Sequence, residues 1–183
     1  GGYSRLKSDW VLRFVLTGAA AYLVASLVGC LLGMKSVAAI TQLTLVPVAR
    51  TQLALHGFVG LTLFGAMYYI LPRLLQVEWP SEKLIRFHWL ASVTGAGLLF
   101  VALTIGGLVQ GIRLHNPDTD FLRVIESTIP FLGNASLGLC LLLAGQAAFG
   151  WNLAWLFWRR CQHHCPITEL CQAVDDAETG EHA

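Results

Sequence analysis

Residues 48–74 read VARTQLALHGFVGLTLFGAMYYILPRL, and the fold turns on how this stretch is read. It opens on Arg50, Gln52 and His56 and then runs apolar to Pro72 and Arg73. About 20 consecutive apolar residues suffice to cross a hydrocarbon core as a helix, and the run from about Val46 to Leu71 meets that length. Polar groups at membrane depth are costly unless they face protein, a partner group or a water-filled space. The three polar residues at its head therefore either hold a cofactor or pack this helix against its neighbours.

Three more segments have the same character: about Trp10 to Met34, Leu84 to Ile112 and Val124 to Trp158. Of the 183 residues 55% are hydrophobic and only 13% charged, which places the chain in the membrane class. The expected fold is all-α, an integral membrane four-helix bundle. Residues 1–9 form a cytoplasmic N-terminal segment, 10–158 the transmembrane domain and 159–183 a polar cytoplasmic tail. The first apolar run exceeds the ~7–15 residues of a signal peptide core, so it is expected to stay in the mature fold.

Net charge is +1 with no basic stripe, which excludes nucleic acid as a partner and leaves the lipid bilayer. Arg5, Lys7, Arg13, Arg73, Lys83, Arg86, Arg159 and Arg160 share one side of this topology. Lys35, Arg50, Arg113 and Arg123 lie on the other, and the 8 to 4 split puts both termini in the cytoplasm. Five cysteines, two within apolar segments and three in the tail, do not read as a disulfide framework.

Ala21, Ala25, Gly29 and Gly33 form a small-residue stripe at four-residue spacing, suited to close approach of another helix. The apolar loop from Lys35 to Leu45 predicts a short helix or turn along the interface. Pro47 suits the first turn of the second helix. That helix is expected to stop at Pro72, and Pro130 to kink or delay the start of the fourth.

His56 sits near mid-bilayer, about ten residues or ~15 Å into its helix. An imidazole there is a candidate haem ligand; the plainer role is a hydrogen bond to a neighbouring helix. His88 lies one turn into the third segment, near the cytoplasmic face, too far from His56 for a bis-histidine haem. Arg50, near the opposite interface, is a candidate contact for a propionate or a lipid phosphate, with snorkelling as the plainer role. Gln110, Glu126, Asn134, Gln146 and Asn152 are candidates for a polar seam between the last two helices. In the tail, RRCQHHCPITELC gathers Cys161, His163, His164, Cys165 and Cys171, residue types that bind zinc, at a spacing that matches no standard finger. Lipidated or plain reduced cysteines are the other readings.

LTLFGAMYYILPRL resembles the signature of the tenth helix of subunit I in haem–copper oxidases, especially cbb3-type oxidases and nitric oxide reductases. LTIGGLVQG (Leu103 to Gly111) is similar to the eleventh helix, and VIESTIPF (Val124 to Phe131) to the start of the twelfth. The resemblance covers about Trp10 to Trp158, the last four helices of a roughly twelve-helix fold. It implies a His-x-His pair on the tenth helix, reaching two haems. Counted back from Leu-Pro-Arg-Leu, those positions hold Arg50 and Gln52, neither a normal haem ligand.

The resemblance thus implies a non-catalytic, haem-ligand-less membrane subunit of a respiratory electron-transfer complex in a bacterial-type inner membrane. Its role would be structural or docking, without cofactor, beside other membrane subunits and cytochrome c-containing ones. One alternative is an electron-transfer subunit holding haem b through His56. Another is a fragment of a longer catalytic chain.

Overall fold

The computed structural model describes residues 9–164, and the side chains of 9–161. The described residues are helical with no strand: α1 (Trp10–Leu32), α2 (Lys35–Thr41), α3 (Leu45–Leu75), α4 (Glu82–Leu114) and α5 (Phe121–His164). All but α2 are long and apolar enough to span a membrane. The expected all-α, four-helix membrane architecture is what forms, with α2 as the short helix predicted between the first two spans. Asp9, Thr44 and Ser81 cap α1, α3 and α4 by accepting from backbone N–H groups of the first turn.

Consecutive spans run antiparallel and pack in chain order, with α4 central. Glycines set the spacing. A Cβ on Gly65 would meet Phe14 at 3.0 Å, one on Gly57 would meet Ala21 at 2.9 Å, and one on Gly29 would meet the Arg50 guanidinium at 2.7 Å. These contacts join α1 to α3. Between α4 and α5, Gly95 and Gly138 meet backbone to backbone, each placing a Cβ only 2.8 Å from the other's carbonyl oxygen. The small stripe of α1 is therefore real, but it starts at Gly18 rather than ending at Gly33. Gly33 caps the helix, its N–H bonding to Gly29 and Cys30 carbonyls.

Helix α3 does not stop at Pro72; it runs on to Leu75 and ends at Gln76, whose φ of 53° is left-handed. A proline inside a helix leaves the carbonyl four residues back without its N–H. Here that carbonyl belongs to Tyr68, and the Trp79 indole donates to it at 2.9 Å. Pro130 likewise sits inside α5, which starts nine residues earlier at Phe121 and is not delayed.

Within α3 the segment Leu53–Gly60 is a π-helix. Single π turns are the usual form, and they gather at functional sites. This one is centred on His56.

Candidate functional site

The residues singled out from sequence go to three separate places. Arg50 turns toward α1, where its Nε donates to the Ala25 carbonyl at 3.1 Å and its guanidinium covers Gly29. A side chain at Gly29 would occupy that space, so the two residues are matched. Arg50→Met is expected to cost about 1–2 kcal/mol, from the lost charge-assisted hydrogen bond, in thermal unfolding of the detergent-solubilised protein.

His56 is half-buried and borders a cavity of about 230 Å³ between α3, α4 and α5. Ser92 of α4 and Gln146 of α5 face the same space, along with Phe64 and Leu142. Gln52 does not line it, although its Oε1 is buried without a partner. In a regular α-helix Gln52 and His56, four residues apart, would share one face; the π segment that starts at Leu53 alters that register.

The proposed polar seam is dispersed. Gln110 accepts from the Leu45 N–H at 3.1 Å, serving the open N-terminus of α3. Asn152, fully buried, donates to the Ser81 carbonyl at 3.2 Å and fixes the start of α4. Asn134 bonds back to Pro130 on its own helix at 3.0 Å, and Glu126 is exposed. Only Gln146 reaches the cavity.

His88 is the residue whose importance sequence reading missed. Its ring is fully buried, enclosed by Phe14, Phe64, Tyr68 and Phe149 at centroid distances of 4.7–5.8 Å. Nδ1 pairs with the Tyr68 hydroxyl at 2.9 Å, while Nε2 has no partner. Its neighbour one turn on, Ser92, is 3% exposed and its Oγ is likewise unpartnered. The signal was Tyr68 in an apolar helix, since a buried tyrosine hydroxyl needs a partner.

Of the tail candidates, Cys161 is exposed on the last turn of α5. His163 and His164 have helical backbones, with side chains outside the described set, and Cys165 and Cys171 lie outside the described residues. Among the described residues no cluster of three metal-ligating side chains occurs.

A haem fits poorly here. A guanidinium carries only N–H donors and Gln52 offers an amide, so neither position supplies an iron ligand. The cavity beside His56, about 230 Å³, is below the ~300–1,000 Å³ of pockets for drug-sized ligands.

Residues 1–141 match the family described as Cytochrome C and Quinol oxidase polypeptide I. The chain is 27% identical over 160 residues to the cytochrome c oxidase subunit 1 homolog of Azorhizobium caulinodans, covering 84% of this chain and 29% of the relative. It is 26% identical over 170 residues to the cbb3-type cytochrome c oxidase subunit CcoN1 of Stutzerimonas stutzeri, covering 88% and 35%. To cytochrome c oxidase subunit 1 of Rhodobacter capsulatus it is 24% identical over 161 residues, covering 84% and 30%. The chain thus spans about a third of the length of these curated relatives. It is a multi-pass membrane protein, and it belongs to the cytochrome c and quinol oxidase polypeptide I family.

Proposed function

We propose that this chain is a haem-ligand-less membrane subunit of a respiratory electron-transfer complex, holding or docking neighbouring subunits rather than reducing a substrate. The observation that carries the reading is Arg50. It stands where the family resemblance places one haem-ligating histidine, and its guanidinium is committed to Ala25 and Gly29 of α1. A ligand position has become a helix-to-helix clamp. The printed names of the relatives support the respiratory setting. Both termini facing the cytoplasm, partners that include cytochrome c-containing subunits, and zinc held by the Cys161–Cys171 tail are parts of the same proposal.

The π-helix centred on His56 favours a second reading, in which His56 holds one haem b with a ligand from a partner. The sequence's span of about a third of its relatives is compatible with a piece of a longer catalytic chain.

Deleting the chain from its host and resolving the membrane complexes on native gels tests the docking role. The complex is expected to lose associated subunits while its remaining haem-bearing subunit persists at normal abundance. An intact, fully active complex without the chain would refute the docking role. Intact mass of the native polypeptide separates a complete subunit from a piece: a mass near 20.0 kDa supports the former, and one about three times larger the latter.

A further inference from the structure

The cavity beside His56 has properties the family reading does not use. It is lined from three helices by three uncharged hydrogen-bonding side chains, His56, Ser92 and Gln146, and by no Asp, Glu, Lys or Arg. The rest of its wall is aliphatic or aromatic, including Phe64. Leu55, Val59 and Leu63 border it from α3 and are themselves exposed, at 53%, 40% and 58%, so the space communicates with the apolar outer face of the helix.

We propose that this cavity is a binding site for a small, uncharged, lipid-soluble ring that carries hydroxyl or carbonyl oxygens. Size decides the scale of the ligand. A cavity of ~150 Å³ lined by apolar groups takes a benzene ring, and this one, at about 230 Å³, has room for such a ring with its oxygen substituents. Chemistry decides its polarity. Ser92 is 97% buried and lacks a hydrogen-bond partner, a condition that costs ~1–3 kcal/mol unless something in the cavity pairs with it.

The same end of the cavity is reinforced by His88. Gly145 brings α5 against α4 there, so that a Cβ would meet Ser92 Oγ at 3.2 Å and His88 Cδ2 at 3.3 Å. Ser92 is thereby held in place, while Tyr68 fixes the other edge of the imidazole. The absence of lining charge excludes ionic ligands, and the aliphatic mouth favours entry from lipid rather than from water. The proposal rests on the reading in which this chain holds no haem, since a haem on His56 would take the imidazole that lines the cavity.

The test uses the full chain in lipid nanodiscs, with ¹⁵N-labelled histidine, titrated separately with phenol and with toluene. Phenol is expected to move the His56 imidazole signals saturably, and toluene, the same ring without the hydroxyl, to bind about tenfold more weakly. Ser92→Ala should weaken phenol about tenfold and leave toluene unchanged. Val59→Phe, which fills the mouth from an exposed position, should abolish both responses. Equal binding of phenol and toluene, no saturable response to phenol, or a response that survives Val59→Phe would each overturn the proposal. The wild-type comparison stands even where Ser92→Ala fails to fold.

Discussion

Gly107→Val is expected to separate α3 from α4 and to lower the stability of the purified protein by about 3 kcal/mol or more. A Cβ on Gly107 would lie 2.5 Å from the Val46 backbone nitrogen and 3.0 Å from the Leu45 carbonyl carbon. Those atoms belong to the first turn of α3, which is held by the Thr44 cap and by Gln110 at one end of the same contact. Backbone cannot swing aside as a side chain can, so the overpacking cost falls at or beyond the top of its usual ~1–3 kcal/mol range. Gly97→Ala is the control. Nothing lies within 4 Å of its added Cβ, and alanine favours a helix over glycine by ~1 kcal/mol, so that variant should be neutral or more stable. Thermal unfolding in detergent, followed by circular dichroism, separates the two.

His88→Ala is expected to be the other severe substitution, at about 4 kcal/mol. It removes a fully buried ring from among Phe14, Phe64, Tyr68 and Phe149, leaving a cavity of the kind that costs ~3–5 kcal/mol for aromatic deletions. It also strips the Tyr68 hydroxyl of its partner. Tyr68→Phe keeps the ring volume and is expected to cost only ~1–2 kcal/mol. The double substitution should cost less than the sum, because the hydrogen bond is lost only once. Strict additivity in that cycle would mean that the pair contributes no coupling.

The spans themselves were legible in sequence because apolar length is a one-dimensional property. Three of the four predicted segments fall within the long helices, the first overruns the end of α1 at Leu32 by two residues, and the helix between Lys35 and Thr41 lies in the loop predicted to turn along the interface. What failed was local. Pro72 reads as a stop until Trp79, beyond the helix, is seen to satisfy the carbonyl that proline leaves open. The Gln110 and Asn152 side chains read as a seam because helical period gives a direction without a partner. In the fold each serves the start of another helix.

The candidate site was half legible. His56 and Gln146 stood out as polar residues at membrane depth, yet Ser92, which joins them at the cavity, did not. A serine in an apolar helix commonly bonds its own backbone, as Ser136 does to Leu132, and carries no mark of its own. His88 was read as lying one turn into its segment and dismissed for lying far from His56. Its packing against an aromatic cluster drawn from α1, α3 and α5 has no sequence period. The π-helix also has none, and it is what sets the register of His56 against its neighbours.

The most direct test of the central claim is the reduced-minus-oxidised absorption spectrum of the purified native complex, with this chain present, with it deleted, and with His56→Ala. The account predicts the same b-type haem absorbance per mole of the remaining haem-bearing subunit in all three. A b-type signal that disappears both with the chain and with His56→Ala would contradict it, and would make this membrane helix a haem carrier after all.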